Sequence, residues 1–471
     1  MKFFVNTKAA YLLGFLIIFA LLIASGCGGS SSHSLVNNNN QENQQDTQDK
    51  TQEDNQENQQ DKNNQNETQN DNHDNQVESQ DKTQTESQDN EPQEEQDSAL
   101  TFDSSSYTTG TVNGVTYRAY SDIIYVKTPV NSSYQKMSIY IPETYFSGGT
   151  LNGYTADTAP IFMPNNVGGY MKGGISSPRS NNSIGIALSK GLVAVSPALR
   201  GRDTDYGTAP ACIVDYKAAV RYLRYNKKYN KLPAGDTDKI ISSGTSAGGA
   251  ISALLGAAGN SGDYDEYLDE LGAANASDDI FASMCYCPIT NLDNADSAYE
   301  WTFGGNAALA ANFITYLNGL NLEYSLNSDG SGTFKDYLDS LGTYTTRRDK
   351  SQVPAFDRLD LSSAENNEFG DKHFTEFGYS NNTASNNAMA DSAIIKAMNP
   401  MNYIGTADTA QYWRIRHGLS DSDTSLAVPA ILALKLNASG FTVDFKGVSG
   451  QGHGGDYDLD ELFSWIDEIC K

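Results

Sequence analysis

The sequence predicts an α/β fold, a mostly parallel sheet flanked by helices, on three observations. β-branched or apolar runs alternate with helix-like runs through most of residues 100–471. The strand-like runs end in Gly, Pro, Asn or Ser, which interrupt strands and open turns. The helix-like runs between them supply the crossovers that parallel neighbours require.

Taken in order, "IFMPNNVGGY" and "GLVAVSPAL" begin as strands and end as turns. In "CIVDYKAAVRYLRYNKKY", Tyr216, Ala219, Val220 and Leu223 repeat at i, i+3, i+4 and i+7, the stripe of an amphipathic helix. "KIIS" reads as a short buried strand and "AGGAISALLGAAG" as a closely packing helix of small residues. Further on, "QYWRIRHG" reads as a strand, "SLAVPAILALKLNASG" as a helix closed by Gly440, and "FTVDF" as another strand. Leu459, Leu462, Phe463 and Ile466 mark an amphipathic terminal helix. About 150 residues separate the small-residue helix from "QYWRIRHG", more than one crossover needs. Their middle part, about 301–397, is rich in Gly, Asn, Ser, Tyr and Asp with weak periodicity, and is expected to be an inserted lid.

The N-terminus has a different organisation. Lys2 and Lys8 flank an apolar run, Ala9–Ala24, followed by "SGC", the layout of an export signal over residues 1–26. The run is shorter than the ~20 residues of a membrane-spanning helix. A cysteine directly after "IASG" resembles the lipobox of bacterial lipoproteins, which implies lipidation of Cys27, anchorage in a membrane and an extracytoplasmic location. Residues 27–99 are expected to form a disordered tether, because Asn, Gln, Asp and Glu dominate and no aromatic residue occurs in 37–97. This stretch holds 18 acidic and 3 basic residues, so −15 of the formal −27 resides there. The remainder is acidic too, which argues against nucleic acid as a partner. Residues 100–471 form the globular part. Its Cys212, Cys285, Cys287 and Cys470 permit disulfides in an exported protein without selecting a pairing. The spacing Cys285-x-Cys287 makes a poor metal site, so neither metal nor cofactor is expected.

"KIISSGTSAGGAIS" places G-x-S-x-G between a strand and a helix, the context of the nucleophile elbow of the α/β-hydrolase fold. The bend needs Gly244 and Gly248 so that the chain can cross itself with Ser246 lifted above the sheet edge. The Ala247 N–H, at the positive end of the next helix, is a candidate oxyanion donor. Gly168 of "MPNNVGGYM" is the second candidate, with Gly169 in reserve. The base should follow the last strand, which selects His453 in "GQGHGGDYD" over His417 and His373. The acid should follow the strand before it, and the H-G-x-x-D spacing selects Asp421 over Asp423. His417 is expected to shape the acid loop.

Several segments together, "GTSAGGAISALLGAAGN", "VPAFDRLDLSSAENNEFG", "WRIRHGLSDSDTSLAVPAILALKL" and "GHGGDYDLDELFSWID", resemble the bacterial tannases of the α/β-hydrolase superfamily. The resemblance implies a serine esterase with Ser246, Asp421 and His453 as triad, acting on galloyl esters of plant polyphenols. It also implies that a lysine, a glutamate and the second aspartate meet the phenolic hydroxyls, which map to Lys350, Glu365 and Asp423. Two alternatives share these residues: a carboxylesterase or feruloyl-type esterase on other plant-derived esters, and a catalytically silent surface binding lipoprotein.

Overall fold

The computed structural model describes residues 97–344, 354–371, 378–380 and 389–471. The proposed signal, Cys27, residues 27–96 of the tether, Lys350 and His373 lie outside the described residues. The expected tether boundary at residue 99 is corrected: a short 3-10 helix spans Ser98–Leu100, and the Asp97 N–H donates to the Tyr225 hydroxyl. The strands are β1 (Thr108–Val112), β2 (Val115–Ile124), β3 (Lys136–Pro142), β4 (Pro160–Pro164), β5 (Val193–Pro197), β6 (Asp236–Thr245), β7 (Ala282–Tyr286), β8 (Tyr412–Gly418) and β9 (Thr442–Val448). They form one sheet in the order β1-β2-β3-β5-β4-β6-β7-β8-β9. From β5 to β9 all neighbours are parallel, and β1, β2 and β3 add an antiparallel edge.

The helices are α1 (Ser183–Ser189), α2 (Ala211–Lys228), α3 (Ala247–Ala257), α4 (Asp265–Glu270), α5 (Leu292–Phe303), α6 (Ala307–Gly319), α7 (Thr333–Ser340), α8 (Ala364–Glu368), α9 (Ser392–Ala397), α10 (Ala427–Ala438) and α11 (Leu459–Cys470). Every residue of β4, β5 and β7 is buried, as expected of parallel strands covered on both faces. All eleven residues of α3 are buried, and Gly256 explains part of this: a Cβ there would meet Ser283 and Trp413 at under 3 Å. The apolar stripe of α11 reaches β4 through the edge-to-face rings of Phe162 and Phe463. Lys239 donates to the Cys470 carbonyl, a group that the end of α11 leaves without a helical partner. No described helix is long and apolar enough to cross a membrane.

Between β7 and β8 the chain leaves the sheet for the insertion that carries α5 to α9. The weak periodicity read over 301–397 is corrected here. Leu309, Phe313 and Leu317 of α6 and Phe334 and Leu338 of α7 are buried at helical spacing. With Leu426, Val428 and Ile431 they form a hydrophobic cluster separate from the main core. The intervening Gly, Asn and Asp turns had diluted that pattern in the sequence. All four described cysteines are buried free thiols.

Candidate active site

Ser246 stands between the end of β6 and the start of α3 with φ 61° and ψ −125°, a strained conformation for a residue with a Cβ. The glycines around it are sterically required. A Cβ on Gly244 would lie 2.1 Å from the Gly248 oxygen, and one on Gly248 would lie 2.6 Å from both the Asn165 side chain and the Val167 oxygen. The loop after β4 therefore packs directly on the first turn of α3. Asn165 fastens it, donating to the carbonyls of Ser243 and Gly248 and accepting from the Val167 N–H. Gly168 thus follows Val167 on the same loop that touches the turn where Ala247 presents an N–H without a helical acceptor.

His453 joins this corner from the loop between β9 and α11. Its Nε2 lies 2.8 Å from Ser246 Oγ and its Nδ1 lies 2.8 Å from Asp421 Oδ2. Asp421, on the loop after β8, also accepts the N–H groups of Asp423 and Thr424 on Oδ1. Burial alone would raise its pKa. The bond to His453, then His417, then Thr424 outweigh burial and hold it below the usual carboxylate range. For His453 burial opposes the charge, but the Asp421 hydrogen bond and the nearby Cys287 sulfur overcome it and raise its proton affinity. The loops bearing acid and base are locked together, since Ser420 N–H donates to Gln451 and a Cβ on Gly418 would collide with the Gly452 oxygen at 2.3 Å. Beneath them Arg414 and Arg416, both fully buried, pair with Asp458 and Asp444 and so fix the start of α11.

The arginines of "RIRHG" carry a role that the sequence reading did not assign. Cys287 is the other unanticipated residue. Just past β7, it packs beside His417 and His453, and these outweigh burial to lower its pKa to about 7. Its φ of 42° turns the chain there.

The residues matched to phenol recognition sit on the insertion and the acid loop. Asp423 is half-buried, two residues from Asp421. Tyr299 of α5 ties this loop to the insertion, donating to the Ser422 carbonyl and packing edge-on against Phe356. Glu365 lies on α8, 9% exposed, and burial, aided by Asp296, raises its pKa to about 7. One turn on, Glu368 is wholly buried, which pushes its pKa well above the usual carboxylate range, and neither carboxyl oxygen has a hydrogen-bond partner among the described residues. Arg202 spans the two regions, donating to the Gly169 carbonyl and to Asn367 of α8. A polar cavity of about 330 Å³ borders the elbow, lined by Asn165, Val167, Ser183, Thr245 and Asp456 among others.

A parallel sheet with a strained Ser246 at a strand-to-helix bend, within bonding reach of a histidine from the last loop, defines an α/β-hydrolase. Comparison with known families agrees: the BD-FAE family model matches residues 155–312. The tannase of Fusobacterium nucleatum superposes with a TM-score of 0.73 at 42% identity, covering 80% of this chain and 100% of that one. The native tannin acyl hydrolase of Lactobacillus plantarum does so with TM-score 0.73 at 38% identity, covering 79% and 99%. A tannin acyl hydrolase solved in complex with ethyl gallate gives the same TM-score, identity and coverage. A comparison with curated protein sequences finds no match. The chain belongs to the bacterial tannase family.

Proposed function

We propose that this protein hydrolyses galloyl esters, such as alkyl gallates and tannins, through an acyl-enzyme on Ser246. The observation that carries the reading is the continuous Ser246–His453–Asp421 hydrogen-bond chain, with two 2.8 Å links to the histidine at a strained elbow. His453 Nε2 takes the Ser246 proton as Oγ attacks the ester carbonyl, then gives it to the departing alcohol. Ala247 and Gly168 N–H groups receive the oxyanion. Water, deprotonated by the same nitrogen, attacks the acyl carbon; gallic acid leaves and Ser246 regains its proton. Asp421 holds the imidazole and balances its transient charge.

Glu365 and Asp423, with Lys350, meet the three phenolic hydroxyls. An acyl group without those hydroxyls leaves buried polar groups unpaired, so methyl gallate should exceed methyl benzoate in kcat/KM by ~10^4-fold. Equal turnover of the two esters would remove the galloyl assignment and leave only an esterase. The enzyme is exported by residues 1–26 and held at a membrane through lipid on Cys27, with residues 28–96 as its tether. Metabolic labelling with an alkynyl fatty acid should mark the wild type and not Cys27→Ser; equal labelling overturns the anchor.

A further inference from the structure

The geometry of the catalytic corner includes ligands that ester hydrolysis does not use. We propose that Cys287, His417, Asp421 and His453 form a binding site for a borderline-soft divalent cation, Zn2+ or Cd2+, whose occupation switches off the triad. The proposal rests on the reading of His453 as the base. Its experiment separates binding from turnover.

Four observations support it. The Cys287 sulfur, an Asp421 oxygen and a His453 ring nitrogen all lie within 4.8 Å of one another. A cation central to three such atoms sits no more than about 2.8 Å from each, so modest closure reaches the ~2.0–2.3 Å of zinc ligation. The sulfur is held in place by its approach to the carbonyls flanking His453, 3.5 Å from that of Gly454 and 3.8 Å from that of Gly452. His417, which stands beside that set of three rather than within it, is the fourth donor once the site closes. It is 1% exposed, its Nδ1 has no hydrogen-bond partner among the described residues, and that atom lies 3.8 Å from Asp421 Oδ2. A buried ring nitrogen without a partner has lost its hydration uncompensated, and a cation restores what it lacks.

The donor set fits the class of metal. One thiolate, two imidazoles and one carboxylate make a tetrahedral set that favours Zn2+ and its softer relatives over Mg2+ or Ca2+. Thiolate and carboxylate together neutralise the divalent charge, which such a buried position requires. Entry is from the cleft, because the His453 side chain keeps 20% exposure while those of Asp421 and His417 are buried. The C-x-C spacing hid the site, since Cys285 points into the core with Ser283 and the other ligands come from β8 and the two loops beyond it.

The proton balance explains why the bound metal inhibits. Cys287 loses its thiol proton to solvent as the metal–sulfur bond forms. The metal takes the place of the proton between His453 Nδ1 and Asp421, and that proton moves to Nε2. An imidazole with metal on Nδ1 and hydrogen on Nε2 has no lone pair left to receive the Ser246 proton.

The test uses the full-length protein freed of metal by a chelator and then titrated with CdCl2. Thiolate-to-cadmium absorption and methyl gallate turnover are followed in one sample. The expected result is that the absorption band and the loss of turnover rise together to one equivalent. EDTA should reverse both, and Zn2+ should compete for the site. Cys287→Ser should lose this band and keep at least half of its own metal-free rate at the cadmium level that silences the wild type. His417→Gln, which leaves the thiol in place, should weaken inhibition by about tenfold or more. Inhibition unchanged in either variant overturns the proposal, as does a band that forms without loss of turnover. Should the metal-free wild type fail to turn over methyl gallate, the esterase reading fails, while the cadmium band and its dependence on Cys287 still decide the site.

Discussion

Asp421 and Glu368 are both carboxyl groups withdrawn from water, and the protein treats them in opposite ways. Asp421 accepts two backbone N–H groups and binds a histidine, so its charge is stabilised and its position over-determined. Glu368 is buried on α8 without that support among the described residues, Glu365 one turn before it is buried with little of it, and burial raises the pKa of both. The Ser246–His453–Asp421 chain is closed within the protein. The α8 region keeps polar capacity in reserve, as a surface does when a ligand supplies the missing partners. Asp421 is satisfied by its neighbours, whereas the α8 carboxyls carry a standing cost in stability.

The largest effect that sharpens this contrast belongs to the catalytic side. Ser246→Ala should lower kcat by ~10^6-fold while product gallate binds as before, measured by burst-free turnover and calorimetry. Asp421→Asn should follow at ~10^4-fold, because the amide favours the wrong imidazole tautomer. On the recognition side the same type of change should stabilise. Glu365 moves from 4.5 in the unfolded chain to about 7 in the fold. Below 4.5 both states are protonated and burial carries no ionic penalty. Between 4.5 and 7 the unfolded state releases its proton first, so stability falls as pH rises, and above 7 the penalty is complete. Glu365→Gln should therefore gain up to about 3 kcal/mol at pH 8 and almost nothing at pH 4, read by denaturant unfolding. Equal gains at both values would contradict the contrast. The smallest effect is expected where the two regions meet: Arg202→Met releases the Gly169 carbonyl and Asn367 together, and should reduce kcat/KM for methyl gallate by about tenfold.

The parallel core of the sheet and the elbow were legible because they obey local rules. β4, β5, β6, β8 and β9 appear where apolar runs met turn residues, and G-T-S-A-G bends as its glycines demand. The antiparallel edge was missed although it carried a signal. Asn113-Gly114, with φ of 49° and 80°, closes the β1–β2 hairpin between paired Val112 and Val115, the dipeptide that such turns favour. β7 escaped because "ASMCY" is a short apolar run with no alternation. Cys287 and the buried arginines were illegible for another reason. Nothing local marks them, and only strand order brings Cys287 against His417, or Arg414 against Asp458. Glu368 likewise reads as one more acid on a polar helix until the fold removes its water.

One variant examined with two reagents tests whether the halves are separable. On the proposed mechanism a fluorophosphonate requires only Ser246 and its base, whereas methyl gallate requires the α8 carboxyl as well. Glu365→Gln should label at Ser246 within about twofold of the wild-type rate while kcat/KM for methyl gallate falls by ~10-fold or more, the loss of a hydrogen bond to a charged group. Labelling and gallate turnover falling in parallel, or neither changing, would contradict a self-sufficient catalytic corner beside a recognition surface that the substrate completes.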